Sequence, residues 1–195
     1  MKLNLEIAFK IPGYTNAYDL VDLHVLAMQV PKGGKAVEIG CWKGRSSYAI
    51  WSGLDSDDFT VVDTFGGTPG EEEFFKDAGE TACLEFSNNM LDAFHRVPNI
   101  CLNDSVQAAK LFPDRCVDLL FIDGDHSTER VIRDIRAWLP KMKVNSIMAG
   151  HDYDRETVRE GVKRCFRSPG MITPAGTIWI QHITGEENGN LRTCV

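Results

Sequence analysis

Four short stretches hold the residues whose types and spacing can do chemistry: "VEIGCWKGRSS" (37–47), "VVDTF" (61–65), "FIDGDHS" (121–127) and "MAGHDY" (148–153). In each, an apolar run stops at glycine, acid or histidine. Gly40 and Gly44 permit a tight turn with close backbone approach, ahead of Ser46 and Ser47 at the start of a helix. Their G-x-x-x-G spacing, with Trp42 between them, differs from the G-x-G-x-x-G that leaves room for a pyrophosphate, so a ligand without one fits better. The ring of Trp42 can lie beside that ligand. Asp63 follows Gly40 by 23 residues, the region for a carboxylate that accepts hydrogen bonds from a ribose diol, with a turn or cap acid as the lesser alternative. Asp104 and Ser105 either flank an adenine or cap the next helix. Asp123, His126, His151 and Asp152 add acids and imidazoles after two further runs, against the plain alternative of solvated loop residues. Asp125 is read as a turn or cap acid, with Gly124 allowing the bend.

These residues need elements to bring them together. Short aliphatic runs at 35–39, 59–62, 99–102, 117–122 and 144–149 read as strands covered on both faces, as in parallel sheets. Helical spacing fills the intervals at 18–29, 45–54, 83–94, 106–111, 128–139 and 155–166. Runs at 171–173 and 177–183 are separated by "PAG", too short for a crossover helix, so they should pair antiparallel. The alternation predicts one α/β domain over 1–195: a Rossmann-like, mostly parallel seven-stranded sheet with an antiparallel last strand and helices on both faces. In such a sheet ligands bind past the carboxyl ends of the strands, and all five parallel runs end in polar or acidic residues. Residues 1–30 are expected to form an N-terminal helical segment. Residues 66–92 are expected to form an acceptor-side insertion, whose acidic stretch "GGTPGEEEFFKDAG", with Phe74 and Phe75, should act as a lid. Trp51 and Trp138 fit core faces, while His24, His95 and His182 have no partner pattern.

At −7 the chain has no electrostatic reason to approach phosphate backbones, so nucleic acid is not an expected partner. No run reaches the ~20 apolar residues of a membrane span. Six cysteines without a C-x-x-C pair, and no signal peptide, suggest reduced thiols and a cytoplasmic location.

The four stretches, in this order, resemble the class I S-adenosylmethionine-dependent methyltransferases, and most of all the branch of macrocin-type sugar O-methyltransferases and cephalosporin-hydroxylase-like proteins. The likeness runs over roughly 35–182. It implies S-adenosylmethionine as cofactor, held by Glu38, Gly40, Trp42, Gly44 and Ser46 on the methionine side. Asp63 would take the ribose, Asp104 and Ser105 would flank the adenine, and Asp123 would face the cofactor. It also implies a divalent ion, magnesium in the relatives, on Asp123, His151 and Asp152; the relatives usually carry an acid or its amide where His151 stands. His126 would be the general base, a role that an imidazole with pKa near ~6.5 suits. The implied activity is methylation of a hydroxyl on a small molecule or sugar, with a homo-oligomer left open. Two rivals are a nicotinamide-dependent oxidoreductase and a non-catalytic nucleotide-binding or scaffold protein on the same fold.

Overall fold

The computed structural model describes residues 2–67, 79–166 and 169–185. Among them β1 (Ala36–Ile39), β2 (Phe59–Asp63), β3 (Asn99–Leu102), β4 (Val117–Ile122), β5 (Met142–Gly150), β6 (Met171–Ile172) and β7 (Trp179–Ile183) form one sheet in the order β3-β2-β1-β4-β5-β7-β6. The first five strands run parallel, and β7 lies antiparallel between β5 and β6. This is the Rossmann-like arrangement that the alternation of runs implies.

The period of two sorts strand side chains to two cores. Phe59, Val61, Leu119 and Phe121 face a layer with α2 (Ala17–Met28), α3 (Arg45–Gly53) and α4 (Glu80–Phe94). Val37, Ile39, Val62, Leu120 and Ile122 face the opposite layer with α5 (Ser105–Ala109), α6 (Thr128–Trp138) and α7 (Glu156–Cys165). All six residues of β4 are buried, which explains why its sequence shows no polar alternation. Each fully buried Leu or Phe contributes ~1.5–3 kcal/mol, so this central strand holds its end, and Asp123 beyond it, firmly in place.

Several boundaries differ from the sequence expectation. A separate α1 (Leu5–Lys10) precedes α2; six residues are too few for periodicity to reveal. β5 starts at Met142, directly after a 3-10 turn (Leu139–Lys141) that contains Pro140. α4 begins at Glu80, and its Ala82, Phe86 and Met90 are fully buried. The insertion expected over 66–92 therefore ends in a core helix, while Phe74 and Phe75 lie outside the described residues. Trp51 and Trp138 are core residues, His24 bonds Ser52 at 2.8 Å, and the five described cysteines are free thiols. Among the described residues no helix is long and apolar enough to cross a membrane.

Candidate active site

At the end of β1 the chain reverses through Gly40 (φ 79°) and Trp42 (φ 48°), and Gly44 (φ 98°) stands before α3. A Cβ on Gly40 would lie 2.0 Å from the Asp123 carbonyl oxygen, so the ends of β1 and β4 meet only because residue 40 has no side chain. Asp63 holds the turn from the next strand. Its Oδ2 accepts from the backbone N–H groups of Cys41 (2.8 Å) and Trp42 (2.9 Å), and its Oδ1 from Phe65 (2.7 Å). Glu38 lies beneath, fully buried, and accepts from the Ser47 hydroxyl. Burial, helped by Asp123 and Asp63, pushes its carboxyl up to about 8 against the hydrogen bonds of Ser46 and Ser47.

Beside this turn opens a cavity of about 510 Å³, within the ~300–1,000 Å³ usual for small-molecule sites. Gly40, Trp42, Ser46, Asp63, Asp104 and Ser105 line it, and so do Asp123, His126, His151 and Asp152. Glu38 and Gly44 do not. Glu38 supports the turn through the serines, and Gly44 sits against Phe86 and Met90, where a Cβ would come within 2.8 Å of the Met90 methyl. Both capping and lining hold for Asp104: Oδ1 accepts from Val106 and Gln107 of α5, and Oδ2 pairs with Arg130 at 3.1 Å. The Ser105 hydroxyl accepts from the Trp138 indole at 2.9 Å, which fixes that wall to the core. Asp134, on α6, also lines the cavity; burial pushes its carboxyl up to about 6.

The lining also holds a cluster of acids and imidazoles. Asp152 has a left-handed backbone (φ 56°), a costly conformation for a non-glycine residue. There its Oδ2 meets His126 Nε2 at 2.8 Å and His151 Nδ1 at 3.3 Å, while Arg155 Nε reaches Oδ1 at 3.2 Å. His151 Nδ1 also lies 3.6 Å from Asp123, and its Nε2 lies 3.1 Å from Asp19 on α2. Burial opposes charge on both rings, but carboxylates outweigh it. The His126 pKa is raised by its bond to Asp152 and by the charges of Asp152 and Asp123, and that of His151 is pushed up to about 11 by Asp123, Asp152 and Asp19. Burial would raise Asp152, yet both histidines hold it well below the usual carboxylate range. Burial raises Asp123, against the two histidines. Asp125 acts as the turn acid, its Oδ1 accepting from Ser127 N at 2.8 Å.

Further contributions escaped the sequence, among them Tyr14 and Arg45 in the lining and Asp19, which reaches the cavity only through His151. Asp19 looked like an ordinary acid in the first turn of a helix. Tyr14 and Arg45 belong to a loop-helix contact in which Arg45 donates to the Ile11 and Thr15 carbonyls at 2.8 and 3.3 Å, closing residues 12–15 over the cavity. A long-range contact of this kind leaves no local pattern.

A family model described as a methyltransferase domain matches residues 37–153, more than half of the chain. The chain belongs to this methyltransferase family. The match spans all the strand ends that build the cavity up to Tyr153, and it sets aside hydride transfer. Comparison with curated proteins finds no match. Among solved structures, the methyltransferase is similar to the O-methyltransferase NovP (19% identity, TM-score 0.67, 87% of this chain and 81% of that one). It is also similar to a Bacillus cereus O-methyltransferase in complex with S-adenosylhomocysteine (16%, 0.61, 91% and 87%) and to a Corynebacterium glutamicum protein (15%, 0.64, 94% and 92%). At these identities the likeness concerns the fold.

In this methyltransferase the donor set implied for a divalent ion, Asp123, His151 and Asp152, lies close together, with His151 Nδ1 3.3 Å from Asp152 and 3.6 Å from Asp123. The oxygens of Asp123 and Asp152 and a ring nitrogen of His126 also lie within 4.8 Å of one another, while the second nitrogen of His151, Nε2, faces Asp19. Magnesium needs oxygen ligands in an octahedron. Here His126 is already bonded to Asp152, and the His151 ring stands against both acids, so the residues present do not fit magnesium. The other donor set does suit a nucleoside joined to an amino acid: a carboxylate beside a glycine turn, a helix start and an aromatic ring.

Proposed function

We propose that the chain transfers a methyl group from S-adenosylmethionine to a hydroxyl of a small molecule or sugar. The observation that carries this reading is one cavity lined both by the glycine turn with Asp63 and by the His126–Asp152 pair. Gly40, Trp42 and Ser46 would hold the methionine part, Asp63 the ribose, and Asp104 with Ser105 the adenine. The S-adenosylhomocysteine bound by the Bacillus cereus neighbour agrees with that choice of ligand. S-adenosylmethionine brings a methyl group already activated on a sulfonium, so the chain has mainly to position the acceptor and remove its proton. His126 would take that proton. Asp152 orients its ring by the 2.8 Å bond and balances the imidazolium that forms. Magnesium is no part of this proposal, for the reason of fit given above.

Isothermal titration with S-adenosylhomocysteine tests the cofactor reading, and one molecule bound per chain is expected. Binding of a nicotinamide dinucleotide in its place would sink it. Tight binding without turnover on a broad panel of hydroxylated acceptors would instead favour the non-catalytic reading.

A further inference from the structure

The His151 ring is held by carboxylates on both of its nitrogens. Nε2 is 3.1 Å from Asp19 Oδ2, and Nδ1 is 3.3 Å from Asp152 Oδ2 and 3.6 Å from Asp123 Oδ1. A neutral imidazole has one N–H, so its other nitrogen would aim a lone pair at a carboxylate oxygen; with the three acids ionised, only a doubly protonated ring makes every one of these contacts attractive. Asp19 has no exposed surface. The Thr177 hydroxyl donates to its Oδ1 and the Asn16 amide donates to its Oδ2 at 2.5 Å. That carboxylate is thus fixed by α2 and by the turn before β7, and it faces His151. Three acids gathered around one buried point need positive charge there, since a buried carboxylate without a countercharge is strongly unfavourable.

We propose that the chain supplies its own cation: the His151 side chain, anchored by Asp19, occupies the place of a divalent ion between the strand-end acids, and turnover needs no metal. The proposal rests on the methyltransferase reading of the site. Its position suits the chemistry, because a fixed cation beside Asp123 and Asp152 neutralises these acids without taking a coordination place from the acceptor hydroxyl. His151 lines the cavity, so its charge acts at the reacting end. Asp19 is a positioning residue, reaching the cavity through His151. Other charged or titratable groups beside this cluster, among the described residues, are His126 and Arg155 on Asp152, Asp22 near Asp19 and Glu38 near Asp123.

Calorimetric titrations of the full chain, with S-adenosylhomocysteine and separately with MnCl2 and MgCl2, test the two readings apart. The nucleoside should bind and neither metal ion should bind stoichiometrically. His151→Asn removes the charge and offers an oxygen ligand, so Mn2+ binding should rise about tenfold or more over the wild type. Stoichiometric Mn2+ binding by the wild type, or no gain in a folded His151→Asn chain, overturns the proposal. Failure of S-adenosylhomocysteine to bind, with the metal results as expected, strikes the methyltransferase reading alone. Should the variant not fold, nitrogen NMR of the wild-type His151 ring at neutral pH decides: two protonated nitrogens are expected, and a neutral tautomer overturns the idea. In Asp19→Asn the ring should lose its second proton at lower pH than in the wild type. A merely structural Asp19 would change stability and leave that titration in place.

Discussion

His126 carries the chemistry of the proposed reaction, and its environment sets the pH at which it can act. Its pKa is raised above 6.5, and a base works only when unprotonated, so turnover should climb with pH through a limb lying above 6.5. Asp152→Asn removes the main partner that raises it. That limb should move to lower pH while kcat falls, and a kcat–pH profile that keeps its limb would separate His126 from the proton transfer. His126→Ala should lower kcat by roughly 100-fold or more with S-adenosylhomocysteine affinity unchanged. Asp63 shows a residue with two duties. Asp63→Ala should weaken S-adenosylhomocysteine binding by ~1.5–3 kcal/mol in calorimetry, the range for hydrogen bonds to a charged group. It should also lower the thermal midpoint, because the N–H groups of Cys41, Trp42 and Phe65 lose their acceptor. Equal affinity in a folded variant would remove Asp63 from the ligand and leave it as a support of the turn. Its place after β2 was legible from the spacing to Gly40; its three backbone bonds were not, since they depend on how β1 and β2 lie side by side.

Among the elements, α2 matters most beyond its packing. The Asn16 side chain caps it, accepting from Tyr18 N at 2.8 Å and Asp19 N at 3.1 Å, and it also donates to the Asp19 carboxylate. Asn16→Ala should cost about 1 kcal/mol in chemical denaturation. It should also loosen Asp19, so that the His151 ring becomes easier to deprotonate; a cap loss with no change at His151 would show that Thr177 alone suffices to hold Asp19. The strands and long helices were readable because each covers a whole period several times over. Their ends were less so: β5 begins earlier than its apolar run, with Met142 buried at the edge of the core, and α4 begins three residues before the expected start, where only the small Ala82 marks the buried face. α2 itself was visible as a helix, while the direction in which Asp19 points was not.

For the whole molecule, the buried titrating groups set how stability depends on pH. His151 has a folded pKa of about 11 against 6.5 in the unfolded chain, so its contribution is complete below 6.5 and is lost as pH rises through 11. Glu38, raised from 4.5 to about 8, keeps its proton in the fold while the unfolded chain ionises, which also lowers stability as pH climbs from 4.5 to 8. Both signs agree. The thermal midpoint should fall by a few degrees, roughly, between about pH 6 and about pH 8.5, and Glu38→Gln should flatten that fall; a midpoint that rises over this interval would contradict the charge assignments of the buried cluster. Bound ligand would add its own stabilisation by mass action, so the scans belong to the ligand-free chain. By itself the sequence determined the class of fold, the order of strands and helices, and the strand ends at which polar residues gather, because hydrophobic period and glycine spacing act locally and are written locally. Only the tertiary structure decided which charges compensate one another. His151 stands next to Asp152 in the chain, yet its other nitrogen faces Asp19, 132 positions away, and Thr177, 158 positions from Asp19, completes the grip. Electrostatic partners are chosen by distance in space, and three acids around one imidazole can be recognised only after the sheet has brought β4, β5 and α2 to the same point.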